Sequence, residues 1–341
     1  MKEFRVLELF SGVGGMHYAF NYTKLQGEVV AAMDVNTVAN KVYAHNYKNP
    51  KYLKTRNIQS LSEKEVNKLN ANMLLMSPPC QPHTRQGLQR DTEDKRSSAL
   101  NQLCSLLPKC ETIKYILMEN VKGFECSQAR QQFIEALQQA KFYWREFILT
   151  PTQFQVPNTR YRYYCLARKD KDFDFPSGKI WEQMPGQAPH PTNEMDTISS
   201  LLEPSISTSE FLVPDDVLKR VLVMDIVNSD QNRSMCFTKG YTHYTEGTGS
   251  TFTPLVRDES DRLFEIVKEI DNDPNRTNWE RLDVLRQLKL RYFTPREVAR
   301  LMKFPEYFDF PPDITNRQKY RLLGNSINVK VVGELIKLLT T

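Results

Sequence analysis

Apolar residues in the first half of the chain come in short unbroken runs: "RVLELF" (5–10), "VVAAM" (29–33), "MLLM" (73–76) and "YILM" (115–118). Runs of this length predict parallel strands with helices on both faces. Residues 13–25 have helical spacing. Asn36 begins another helix, in which Val38, Ala39 and Val42 share one face. "WREFIL" (144–149) and "RYYCLA" (162–167) alternate more and predict an antiparallel edge. Strand and helix in strict succession predict an α/β fold with a doubly wound, mostly parallel, Rossmann-like sheet.

Near residue 170 the pattern lapses. Pro176, Pro185, Pro189, Pro191, Pro204 and Pro214 interrupt 171–215, as in a connector leading to a smaller, irregular domain. Regularity returns at about 288. There Thr294, Pro295 and Glu297 form an N-cap, a first-turn proline and a capping box. A further helix ends before Gly324, and "NVKVVGELIKLL" (328–339) predicts a last amphipathic helix that packs back on the first domain. The expected divisions are 1–170, 171–287 and 288–341.

Composition narrows this little. The 341 residues carry 46 Lys and Arg against 41 Asp and Glu, a net charge of +5 that permits an anionic partner without requiring one. No apolar run is long enough for a membrane helix, and "MKEFRVLELF" is not a signal peptide, so a cytoplasmic or nuclear protein is expected. Six cysteines (80, 104, 110, 126, 165, 236) contain no C-x-x-C pair and the histidines are scattered. Neither a metal site nor a disulfide framework is expected.

Chemistry is concentrated where predicted strands end. "ELFSGVGGM" (8–16) sets Gly12, Gly14 and Gly15 between a strand and a helix, and Asp34 ends the next strand 22 residues after Gly12. A carboxylate there can accept both hydroxyls of a ribose. The turn lacks the last glycine of the dinucleotide pattern, which disfavours a pyrophosphate. S-adenosylmethionine, with a ribose and no phosphate, fits better. In "MSPPCQPHTR" (76–85), Pro78, Pro79 and Pro82 fix the backbone around Cys80 at a strand's carboxyl end. That cysteine is either a nucleophile or a thiol packed into a tight turn. "LMENVKGF" (117–124) ends a strand on Glu119, a proton donor with raised pKa or else a solvated carboxylate or cap. "PNTRYRYY" (157–164) places Arg160 and Arg162 on one strand face, for a ligand or as a charged edge.

Phe10-Ser11-Gly12-Val13-Gly14-Gly15, Pro78-Pro79-Cys80-Gln81-Pro82, Glu119-Asn120-Val121, Arg160-x-Arg162 and Gly324-Asn325-Ser326 occur in an order that resembles the cytosine-5 methyltransferases. The resemblance spans nearly the whole chain. "CFTKGYTHYTEGTGS" (236–250) is similar to the type-2 branch, which methylates cytosine 38 in the anticodon loop of aspartate tRNA. It implies a class I S-adenosylmethionine-dependent fold with a target-recognition domain at 171–287, and S-adenosylhomocysteine as the cofactor product. It implies that Cys80 adds to cytosine C6, that Glu119 bonds N3, and that Arg160 and Arg162 position the base or a phosphate. Phe10, Gly12, Val13, Gly14, Gly15, Asp34, Val35, Asn57, Ile58, Ser77, Pro78, Asn325 and Ser326 would border the cofactor. Arg85, Arg90, Lys122, Cys236, Phe237, Thr238, Lys239 and Tyr241 are candidate tRNA contacts. Two departures stand out: His83 where phenylalanine is frequent, and Asn158 where glutamine is frequent.

tRNA is therefore the expected partner, with DNA at most a weak substrate, no membrane and a monomeric chain. The alternatives are a DNA cytosine-5 methyltransferase, a catalytically silent nucleic-acid-binding relative, and a small-molecule methyltransferase. The last has no need of Pro-Pro-Cys.

Overall fold

The computed structural model describes residues 3–79, 98–186, 195–204 and 208–341. Cys80, His83, Arg85 and Arg90 lie outside them. Eight strands form one sheet: β1 (Phe4–Leu9), β2 (Gly27–Asp34), β3 (Leu53–Thr55), β4 (Met73–Met76), β5 (Tyr115–Val121), β6 (Tyr143–Leu149), β7 (Arg162–Arg168) and β8 (Ile180–Trp181). Their order is β3-β2-β1-β4-β5-β7-β6-β8. The first five strands are parallel, and β7 enters antiparallel between β5 and β6. The expected antiparallel pair is present, but it is not the edge: β8 pairs with β6 outside it. Every residue of β7 after Arg162 is buried, as an interior strand requires.

The described helices that follow these strands in the chain are α1 (Gly15–Thr23), α2 (Thr37–Asn46), α3 (Glu63–Lys68), α4 (Ser98–Leu106) and α5 (Gln128–Gln139). Strand periodicity divides the core into two layers. Val6, Leu75, Leu117 and Tyr164 face one cluster, with Ala19 of α1 and Val42 of α2. Leu7, Leu74, Ile116 and Tyr163 face the other, with Leu103 of α4 and Phe133 of α5. Side chains alternate across a strand, so Glu8 and Glu119 fall in the first layer with their strand-mates Val6 and Leu117.

The remaining elements are β9 (Asp225–Val227), β10 (Ser250–Phe252) and β11 (Arg291–Tyr292), with α6 (Asp215–Leu218), α7 (Arg257–Asn272), α8 (Asn278–Gln287), α9 (Pro295–Leu301), α10 (Asn316–Gly324) and α11 (Val329–Thr340). A small separate core gathers Leu218, Val267, Leu282, Leu285 and Leu290. Packing nevertheless crosses the expected boundary at 170–171. Phe173, Met184, Ile198, Phe237, Tyr241 and Phe252 all belong to the large core. Thr294 caps α9 through a capping box with Glu297, and Pro295 stands in its first turn. Asn328 caps α11, which packs on α1 and on β5 and β7. Among the described residues no helix is long and apolar enough to cross a membrane.

Helix α11 covers the sheet beside α1, so its apolar face holds the first domain closed. Leu335→Ala, at a fully buried position, is expected to cost about 2–5 kcal/mol. Urea unfolding measures this, and a loss below about 1 kcal/mol contradicts it.

Candidate active site

Strand order reverses on either side of β1, and ligands of open α/β sheets bind at the carboxyl ends of strands flanking such a point. A cavity of about 350 Å³ opens there. The turn after β1 forms one wall. Phe10 takes a positive φ of 55°, which swings the chain off the strand direction. Gly12 follows at φ 53°, and a Cβ built on it meets nothing within 4 Å, so its bare backbone faces the cavity. Asp34, ending β2, accepts from the Gly12 amide through one carboxylate oxygen (2.8 Å) and from the Asn36 amide through the other (2.8 Å). These bonds fix the carboxylate and leave each oxygen a lone pair for a hydroxyl. Val35, Ser77 and Pro78 border the same space, with Asn325 and Ser326 opposite.

Glu119 lies on the cavity floor. Pairing of β5 with β7 sets Val121 opposite Arg162 and Glu119 opposite Tyr164. Arg162 Nε therefore comes within 3.4 Å of Glu119 Oε1. Burial raises the Glu119 pKa above the ordinary carboxyl range, more than the Arg162 and Arg160 charges lower it. Burial thus favours the protonated form of this carboxyl. Pro78 and Pro79 also line the cavity and bring the chain to its rim one residue before Cys80.

Arg160 also lines the cavity, but its terminal nitrogens are bonded to other segments of the chain. It is 3% exposed. Nη1 donates to Phe237 O (3.0 Å) and Cys236 Sγ (3.3 Å), and Nη2 to Gly324 O (3.2 Å) and Ser326 O (2.5 Å). These four acceptors use all four terminal N–H groups. Asn158 extends the same seam, its Nδ2 donating to Ser234 Oγ (3.1 Å) and Met235 O (2.8 Å). Gly324 is required by contact: a Cβ there would stand 2.2 Å from the Thr238 carbonyl carbon. Arg162 Nη2 lies 3.7 Å from Cys236 Sγ. Burial alone would raise the Cys236 pKa, but the charges and hydrogen bonds of Arg160 and Arg162 lower it below the usual thiol value.

The structure places the other expected residues unevenly. Val13, Gly15 and Lys239 line the cavity. Gly14 lies behind the turn, against Tyr43 and Tyr47. Asn57 caps a short turn and Ile58 is buried in the second core layer, so neither is among the residues that line the cavity. Phe237 and Tyr241 are core residues. Tyr241 donates to Ser250 O (2.7 Å) and accepts from the Phe293 amide (2.8 Å), which leaves no surface for RNA. Thr238 is half-buried and closes a loop onto Thr248, while Lys122 lies over the ring of Tyr161 at 5.1 Å.

Residues 4–340 match the model of the C-5 cytosine-specific DNA methylases. The chain belongs to that family. A tRNA (cytosine(38)-C(5))-methyltransferase of Spodoptera frugiperda is 44% identical over 340 residues, covering 98% of each chain. A human protein of the same name is 36% identical, over 99% of this chain and 100% of its own. The crystal structure of a Spodoptera frugiperda DNMT2 mutant superposes with a TM-score of 0.89 at 42% identity, covering 99% of this chain and 100% of that one. The α/β methyltransferase fold expected from the sequence is thereby confirmed.

In this C-5 methylase, sequence reasoning missed Leu322, Ile327 and Val121 in the cavity wall, and Glu8 behind it. A carboxylate within "RVLELF" was the available signal. Glu8 accepts from the His17 amide in α1 (3.2 Å) and from the Tyr43 hydroxyl (3.0 Å). His17 Nδ1 meets that hydroxyl at 2.8 Å, and its ring stacks on Tyr47 at 4.0 Å. Gly14 supplies no side-chain cap to α1, so Glu8 bonds its first turn from the neighbouring strand.

Burial raises the Glu8 pKa from 4.5 to about 8 and lowers that of His17 from 6.5 to about 4. A raised carboxyl pKa stabilises the fold at low pH and less as pH rises through 8. A lowered histidine pKa has the opposite slope below 6.5, and the two effects offset there. Of this pair only Glu8 titrates between pH 6.5 and 8, where it should account for a loss of about 2 kcal/mol. Glu8→Gln should remove that decline in denaturation compared at the two pH values. Equal declines in both proteins contradict the assignment.

Proposed function

We propose that this chain methylates C5 of cytosine 38 in the anticodon loop of aspartate tRNA, through a covalent bond between Cys80 and C6 of the base. The observation that carries the reading is one cavity joining the glycine turn and Asp34 to the buried Glu119–Arg162 pair. The names borne by the relatives, with the segment "CFTKGYTHYTEGTGS", whose Lys239 lines the cavity, favour tRNA over DNA. Removing a base from its stack also costs less in a loop than in a duplex.

S-adenosylmethionine fits the donors present: a fixed carboxylate for ribose hydroxyls, a bare glycine backbone, and apolar walls from Phe10, Val35 and Leu322. When bound, it supplies an electrophilic methyl group on a sulfonium. Cytosine C5 is a poor nucleophile until a group adds at C6, and the Cys80 thiolate makes that bond. The Glu119 carboxyl, holding its proton, donates to N3 and stabilises the electron density pushed into the ring. Arg162 positions Glu119, and Arg160 positions the segments that close the cavity. Once C5 has bonded the methyl carbon, its proton passes to a water molecule, and the electron pair left behind expels the Cys80 sulfur as thiolate and restores aromaticity.

Purified protein given labelled S-adenosylmethionine should modify aspartate tRNA at cytosine 38 and duplex DNA poorly, as read by bisulfite mapping. The reverse ranking overturns the substrate. RNA carrying 5-fluorocytosine at the target should leave a covalent adduct on the wild type and none on Cys80→Ala, because fluorine blocks elimination. Glu119→Gln should lower kcat by about 10²–10⁴-fold with cofactor affinity kept. An unchanged kcat would remove Glu119 from the chemistry.

A further inference from the structure

The starts of two helices form part of the cavity wall. Gly15 and Met16 come from the first turn of α1, and Asn36 and Ala39 from the cap and first turn of α2. Asn36 caps its own helix, its side chain accepting from the Val38 amide (3.1 Å) and the Ala39 amide (3.2 Å). At the start of α1 stands Gly14, with a φ of 88°, where a Cβ would lie 3.0 Å from the ring of Tyr43. The amides of that first turn must find acceptors elsewhere.

Glu8 meets both helices from β1. Oε1 accepts from the amide of His17, the third residue of α1, at 3.2 Å, and Oε2 from the Tyr43 hydroxyl of α2 at 3.0 Å. Tyr43 follows Ala39 by four residues, so the two share a helix face. His17 Nδ1 closes the triangle on the same hydroxyl at 2.8 Å. Glu8 and Tyr43 are fully buried, and His17 nearly so. One carboxyl group thus ties the start of α1 to α2, behind the residues that face the cavity.

Packing alone gives no reason for a carboxyl group at this position. Val6, Ala19 and Val42 make the layer apolar. An apolar side chain would fill it without the desolvation that raises the Glu8 pKa to about 8. Carboxyl groups perturbed in this way concentrate at functional sites. Glu8 has no exposed surface, so it touches neither cofactor nor RNA. Its influence passes through the two helices that it bonds.

We propose that Glu8 is a positioning residue for the cofactor, setting the spacing of α1 and α2 across the cavity wall. Met16 and Ala39 ride on the helices it joins. Without the link the two helix starts can move apart, and the free energy of drawing them together is then taken from cofactor binding. This inference rests on the reading of the cavity as the S-adenosylmethionine site.

The test is calorimetric binding of S-adenosylmethionine to the full chain, with turnover on aspartate tRNA measured beside it. Glu8→Leu breaks both bonds and should raise Kd about tenfold, read per folded chain from the stoichiometry, with kcat at saturating cofactor unchanged. Glu8→Gln keeps both bonds. Its oxygen accepts from the His17 amide, and its nitrogen donates to the Tyr43 oxygen, whose own proton then goes to Nδ1 of His17, uncharged because burial lowers its pKa to about 4. Its Kd should stay close to that of the wild type. Tyr43→Phe removes only the link to α2, so it serves even where Glu8→Leu fails to fold, and it should raise Kd several-fold. A wild-type Kd in Glu8→Leu or Tyr43→Phe, a rise in Glu8→Gln as large as in Glu8→Leu, or a fall in kcat with Kd kept, overturns the positioning role. Wild-type protein that does not bind S-adenosylmethionine overturns the cofactor reading itself, and the role of Glu8 with it.

Discussion

One buried guanidinium holds three distant parts of this chain together. Arg160 enters from the loop before β7, and its terminal nitrogens bond to Cys236 and Phe237 on one side and to Gly324 and Ser326 on the other. A buried charge persists only where its hydrogens are matched, and four acceptors here do so. Its Nε has no partner among the described residues, so the arrangement is not free of cost. The return is geometric. The recognition segment and the chain's last quarter meet over the strand ends, and the catalytic cavity acquires a wall that the sheet alone cannot provide.

The same seam explains two features that look unrelated in the sequence. Gly324 is not there for a turn: the end of α10 approaches the backbone of Thr238 and Lys239 too closely for any side chain. Asn158, a shorter residue where glutamine is frequent in the family, bonds both Ser234 and Met235. Cys236, between two arginines, carries a lowered pKa because of the same convergence of charge.

Much of this was legible along the chain. Short apolar runs gave the parallel strands, the end of one of them marked Glu119, and the spacing of Asp34 from Gly12 marked a wall of the cavity. Capping residues located α2 and α9, and amphipathic spacing located α11. What failed was whatever depends on contacts between segments far apart in sequence. Phe237 and Tyr241 stand in a recognition motif, yet their rings fill the core, because a motif does not show which of its residues face outward. Arg160 and Arg162 are two residues apart with the same charge, and only tertiary contacts assign one to the carbonyl seam and the other to Glu119. Phe173, Met184 and Ile198, within the proline-rich 171–215, pack into the main core, a contact the proline pattern does not show.

The claim on which the site depends is that Arg160 acts by holding backbone and does not touch the substrate. Hydrogen exchange of Arg160→Met, measured beside its cofactor affinity, tests this most directly. The account predicts faster exchange in both 234–238 and 324–327, together with weakened S-adenosylmethionine binding. Unaltered exchange and affinity, with only kcat reduced, would contradict it and place Arg160 on the substrate.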